Sequence, residues 1–194
     1  GTGLTPYILS LGLFVGALMI TVVFDVKEPA VRPESAFGWF MSKFSVLFAV
    51  GILQAAIACT IILWGIGLEV QSVWRFYLFS IIMSITCLAI IQFLAATMGN
   101  PGRFIAVILL VLQLGGSGGT FPLALVPKFF QVIHSALPMT YSIAGYRAVI
   151  SSGDYAYMWE QAAVLGGVAI VMMALTLIYF KVLLKKGKIE EQHA

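Results

Sequence analysis

Charge is what this sequence has least of. Only 10% of its 194 residues are Asp, Glu, Lys or Arg, against about 25% in an ordinary globular chain. Apolar residues make up 61%, and the mean hydropathy is +1.03. No water-soluble fold of this length hides that much apolar surface, so the chain reads as one membrane domain. Cysteine is scarce as well. Cys59 and Cys87 each lie in a long apolar run without a second Cys or a His at metal-ligand spacing, which leaves both as small packing residues. No Ser-His-Asp or Cys-His arrangement is legible, and no carboxylate pair shares a membrane plane. An enzyme is therefore not expected, nor a cofactor or a metal. The net charge is a modest +3, and no basic face interleaved with aromatics stands outside the apolar segments, which argues against nucleic acid as a partner. A cleavable signal is missing too. Residues 4–24 have the length of a full span, with no basic flank and no small-residue cleavage site.

What is present is a series of apolar segments. Residues 4–24, 44–68, 76–98, 104–120 and 161–182 read as five transmembrane helices, since about 20 apolar residues cross a hydrocarbon core of roughly 30 Å. Gly12 and Gly16 put a G-x-x-x-G pair on the first, which permits close helix approach. The fourth is irregular. About 11 residues precede Gly115, so this helix either runs through the following glycines to about Thr120 or stops partway. The longest polar stretch is 25–43. Pro29 and Pro33 block a helix at its start. Ser35 is placed to cap a short helix through Phe37, Trp39 and Phe40, aromatics suited to the bilayer interface.

The stretch 113–154 is the expected working part. Gly115, Gly116, Gly118 and Gly119 break an apolar helix, Phe121-Pro122 follows, and Pro127, Lys128, His134 and Pro138 interrupt what comes after. Helix breakers at membrane depth survive only where the backbone is buried in protein or lines a cavity. The glycines do not make a phosphate loop, because Thr-Phe-Pro stands where Lys-Ser or Lys-Thr is needed. Residues 122–151 instead read as a re-entrant pair of short helices, about 127–136 and 141–151. Carbonyls freed at the break need partners, and Gln113, Ser117 and Thr120 are near in sequence. Gln54, Gln92 and Gln113 fall inside spans, where amides either bridge helices or mark a path. His134 reads as an interfacial hydrogen-bonding residue. Arg147 either pairs with Asp154 or Glu160 or reaches the headgroups.

Basic residues orient the chain. With the C-terminus cytoplasmic, Lys27, Arg32, Lys43, Arg103, Lys181, Lys185, Lys186 and Lys188 lie inside, and only Arg75, Lys128 and Arg147 outside. That bias satisfies the positive-inside rule. It puts the re-entrant pair and the N-terminus outside and residues 25–43 in the cytoplasm. A chain beginning outside, at Gly1 and without Met, is expected to be a piece of a longer protein whose earlier span and extracytoplasmic region precede it.

The run QLGGSGGTFPLALVPKFFQVIHSALPMTYSIAGYRAVISSGD, with GNPGRFIAVILLVLQL before it, resembles the C-terminal membrane domain of the YhgE/Pip family, known as phage infection proteins and related membrane proteins. That family is similar to the type-2 ABC transporter permeases. The shared marks are Phe121-Pro122, Pro127, Leu137-Pro138, Tyr141 and Gly145-Tyr146-Arg147. The resemblance implies an all-α polytopic, permease-like domain: five spans plus an outer re-entrant pair before the last helix. It implies a gate at Gly115, Gly116, Gly118, Gly119, Phe121, Pro122, Pro138 and Arg147. It also implies a cytoplasmic coupling loop at 25–43, with Lys27, Arg32, Trp39 and Lys43 facing an ATPase supplied in trans, in a homodimer or hetero-oligomer within the bilayer. No ATPase is encoded here, so the implied fold is firmer than active export from the bacterial cytoplasmic membrane. The other implied roles are a membrane anchor or scaffold for an extracytoplasmic region, serving phage reception or secretion, and a small-molecule efflux permease.

Overall fold

The structure is a computed structural model that describes residues 3–29, 31–118 and 122–193, with side chains as far as Gly187. Gly119, Thr120, Phe121 and the Lys188 side chain, singled out above, lie outside what it describes. Among the described residues it is all helix: α1 Thr5–Val23, α2 Ala36–Thr60, α3 Val73–Met98, α4 Asn100–Gly116, α5 Lys128–Ile133, α6 Pro138–Arg147 and α7 Tyr155–His193. Four stretches are long and apolar enough to cross a bilayer: Thr5–Val23, Ala36–Ile66, Val73–Met98 and Tyr155–Gly187. The chain is an all-α polytopic membrane protein. α4 is shorter, at 17 residues, or about 25 Å at ~1.5 Å per residue.

Local chemistry sets the helix ends. Ser35 accepts the N–H of Gly38 at 3.0 Å and starts α2, as its position predicted. The helix does not stop after the aromatics, however. Nothing between Ala36 and Thr60 breaks it, so Phe37, Trp39 and Phe40 form the first turns of a helix that ends, through a π-helical turn, at Ile66. Pro101 lies in the first turn of α4, where its missing N–H is harmless. Gly99 takes a φ of +63° between α3 and α4. A Cβ at Gly102 would collide with the Leu94 carbonyl, so this tight hairpin requires glycine at both positions.

α3 is the hub. Two thirds of its apolar window is buried (67%), against 39% or less for the other three spans, and it packs on α1, α2, α4 and α7. Small and hydroxylated residues permit this. Ser84 donates to the Gly51 carbonyl at 2.9 Å and accepts Gln54 Nε2 at 2.7 Å. Thr86 reaches the Leu165 carbonyl of α7 at 3.1 Å. Ser80 receives both Cys59 at 3.0 Å and the Tyr146 hydroxyl at 2.7 Å. Of the G-x-x-x-G pair, Gly16 is the close approach, since a Cβ there would strike Gln54, whereas Gly12 meets nothing within 4 Å. Outside this core stand exposed apolar residues such as Leu53 and Ile57 on α2, Trp64 on the π-helical turn after it, and Phe104 and Val111 on α4. Such a girdle suits contact with lipid.

Candidate functional site

α4 ends at Gly116, before the last of the glycines, and its C-terminus is closed by the segment that follows it. Gly118 adopts a φ of +78°. A Cβ on Gly116 would come within 2.7 Å of Leu137, and one on Gly115 within 3.1 Å of the Phe130 ring. The two glycines therefore let a hairpin, α5 followed by α6, lie directly on the end of α4. The freed carbonyls take partners from that hairpin. His134 Nδ1–H donates to Gly116 O at 2.6 Å, and Arg147 Nη2 donates to Gly118 O at 3.3 Å. This corrects two of the expected partners, Gln113 and Ser117; the third, Thr120, lies outside the described residues. Gln113 turns the other way and accepts the Met139 N–H, in the first turn of α6, at 3.0 Å. The Ser117 Oγ is buried without a partner. Arg147 is likewise used on the break rather than on Asp154 or Glu160. His134 was legible as a hydrogen-bonding residue, but its target lies 18 positions away and carries no local signal.

Pro127 and Pro138 start α5 and α6. The connection between the helices is pinned by the Thr140 hydroxyl on the His134 carbonyl at 2.6 Å and by the Tyr141 hydroxyl on the Ser135 carbonyl. From Pro138, α6 runs antiparallel to α1 and α3. Ser142 bonds Ser10, Tyr146 packs edge-on against Phe79 with centroids 4.9 Å apart, and Gln71 beyond the start of α3 reaches Ser151. A Cβ on Gly145 would collide with the Phe79 ring. The hairpin thus enters the bundle, turns at Leu137 and climbs back along α3. Between the α4 end, the hairpin and the first turns of α7 lies a cavity of about 580 Å³. Ser117, His134, Thr140, Tyr141, Arg147 and Gln161 are among its lining residues, with Pro122 at its edge.

The opposite end of the bundle carries the 25–35 connection. The Asp25 carboxylate accepts the N–H groups of Lys27 and Glu28, each at 2.9 Å. Burial alone would raise its pKa, but these bonds and the charges of Lys43 and Arg103 outweigh that and hold it below the usual carboxylate range. Trp39 Nε1–H donates to the Lys27 carbonyl at 2.7 Å, and its ring lies on Phe180 of α7. The Lys27 ammonium stands 5.7 Å from the Tyr179 ring centre and that of Lys43 5.1 Å from Phe24. Arg103 ties α4 to the end of α1 through the Thr21 carbonyl at 2.9 Å. Arg32 is exposed on this connection. The predicted residues therefore fall into two groups at opposite ends of the molecule. α7 joins them: Gln161 lines the cavity, and Phe180 lies about 28 Å further along the same helix at ~1.5 Å per residue.

Residues 1–178 match the family described as ABC-2 family transporter protein. The chain belongs to this ABC-2 family. It is also 65% identical, over 192 residues, to a Bacillus subtilis (strain 168) protein named "Uncharacterized protein YhgE". That match covers 99% of this chain and 25% of the relative, so the chain spans about a quarter of the curated protein it matches. No solved structure matches it. Family and apolar helices together make this a YhgE-type, ABC-2-like membrane domain, a multi-pass component of the cytoplasmic membrane with a permease-like architecture.

Proposed function

We propose that this domain is the membrane half of an export-type machine, taking part in export or secretion across the bacterial cytoplasmic membrane. α1, α2, α3, α4 and α7 are the five spans, and residues 122–151 form the outer re-entrant gate. The C-terminus is cytoplasmic and the N-terminus of this chain outside, as the basic residues favour. Two such halves, identical or not, flank a central path. An ATPase acting in trans pushes on the 25–35 connection and the first turns of α2, which together carry Lys27, Arg32, Trp39 and Lys43. The observation that carries this reading is the continuity of α7, which is held to the loop by Trp39 on Phe180 and walls the cavity with Gln161. A push on the loop is thereby delivered to the break at Gly115, Gly116 and Gly118. Pro138 and Arg147 are then the pivot and the latch of the hairpin.

Charge reversal at Arg32 or Lys43 tests the coupling. Export is expected to fail while the protein still folds and inserts normally. If no ATPase co-purifies and a scrambled 25–35 segment leaves function intact, the coupling reading is wrong.

One observation favours a second reading. Three quarters of the YhgE relative lies outside the matched region, so the domain can equally anchor a large extracytoplasmic region used as a scaffold or phage receptor. Replacing this domain with an unrelated multi-span anchor separates the two. Retained function would establish the anchor, and lost function with intact surface display would support the permease.

A further inference from the structure

The cavity at the helix break has a consistent chemistry. Its described lining carries one permanent cation, Arg147, together with the hydroxyls of Ser117, Ser135 and Tyr157, and no carboxylate; the Thr140 and Tyr141 hydroxyls in the same lining already donate to the His134 and Ser135 carbonyls. A guanidinium has five N–H donors, and the Gly118 carbonyl takes one of them at a long 3.3 Å. A second cavity of about 410 Å³ shares Ala144, Arg147 and Tyr157 with the first and is also lined by Ser151 and Ser152. Arg147 is therefore common to both. An independent observation comes from Ser117. Its side chain lines the first cavity at 3% exposure, and its Oγ has no hydrogen-bond partner. A buried hydroxyl without a partner is costly and calls for an explanation. The neighbouring α5 starts at Lys128 and faces outward with a largely apolar surface: Leu125 just before it is 75% exposed, Phe129 58% and Val132 70%.

A cation and hydroxyl donors beside a lipid-compatible face are complementary to an anion carried on an acyl chain. We propose that this cavity binds the phosphate headgroup of an anionic lipid, with Arg147 pairing its charge and Ser117 donating to a phosphate oxygen. The acyl chains lie along α5. This rests on the membrane placement of the hairpin in the reading above and adds the class of ligand, but it does not require that the domain transports anything.

The test is lipid retention by the intact protein in detergent, read by native mass spectrometry during titration with phosphatidylglycerol, neutral diacylglycerol or inorganic phosphate. Phosphatidylglycerol is expected to bind at least about tenfold more tightly than diacylglycerol, the scale of one charge-assisted contact. Arg147→Gln should remove that preference, Arg147→Lys should keep part of it, and Lys185→Gln at the far end should leave it unchanged. Ser117→Ala guards against misfolding, because removing an unpartnered hydroxyl leaves the melting temperature equal or higher. It should still weaken phosphatidylglycerol binding several-fold. Equal retention of diacylglycerol, or unchanged retention in both Arg147→Gln and Ser117→Ala, overturns the proposal. So does inorganic phosphate binding as tightly as the lipid, which would make the site one for a soluble anion. Because retention is measured without transport or an ATPase, its failure leaves the export reading standing, and the loop variants above can fail without affecting it.

Discussion

The indole of Trp39 lies flat on the phenyl ring of Phe180, with centroids 4.1 Å apart and planes 5° apart, while its Nε1–H holds the Lys27 carbonyl at 2.7 Å. One side chain thus joins the start of α2, the C-terminal half of α7 and the connection after α1. Trp39→Leu should cost about 2 kcal/mol, combining an aromatic pair of about 1 kcal/mol with a hydrogen bond of similar size. Trp39→Phe should cost about half as much, because the ring contact survives and the donor does not. Thermal unfolding in detergent measures the cost. Hydrogen exchange should speed up at 27–35 in both variants and near Phe180 only in Trp39→Leu.

Gly145 is a steric requirement of the hairpin. A methyl group there meets the Phe79 ring, which is itself wedged against Tyr146. Gly145→Ala should destabilise by about 1–3 kcal/mol through overpacking. Gly166→Ala, in α7 with nothing within 4 Å of its Cβ, should be neutral or stabilising by up to about 1 kcal/mol. If the two variants melt together, α6 does not pack on α3 as described.

His134 closes the end of α4 through the Gly116 carbonyl. His134→Ala leaves that carbonyl without its partner, at a cost of about 1–3 kcal/mol, and most of the cost falls on local opening of the hairpin. A Ser117→Cys reporter, in a background with Cys59 and Cys87 replaced by alanine, measures it directly. Its maleimide labelling should rise about tenfold with His134→Ala, the equivalent of ~1.4 kcal/mol of easier opening.

Asp25 gives the loop an acid limit. Its folded-state pKa is depressed, so its contribution is fully present above the unfolded value of about 3.9. It is lost as pH falls through the lower, folded value. Protection of the Lys27 and Glu28 amides should fall away below about pH 4 in the parent. In Asp25→Asn that acid-dependent loss should be absent, the protection being lower and flat across the same range.

Much of the fold was legible because apolar length is a local property. Four of the long apolar segments have the span of a bilayer regardless of what they touch, and Ser35, Pro101 and Pro138 act on backbone groups within a few residues. The extent of α2 was less so. The polar character of 25–43 suggested a loop with only a short helix after Ser35, yet nothing after Ser35 stops that helix, and Trp39 gains a partner in α7 by being helical. At the break, four glycines announced an interruption but not where α4 stops, since Gly115 and Gly116 are as compatible with helix as with its end. That was decided by Phe130 and Leu137 lying against them.

The sequence by itself determined a charge-poor chain that must satisfy its backbone within lipid, its helical class, and a break between residues 115 and 122. Hydropathy, proline and glycine act at short range, and they suffice for that. Only the tertiary structure decided that the carbonyls at the break belong to His134 and Arg147, that Gln113 serves α6, and that α7 runs from the cavity to Trp39. Each of those pairings joins residues at least 18 positions apart. They exist because the hairpin folds back onto the bundle, a consequence of packing that no single segment encodes.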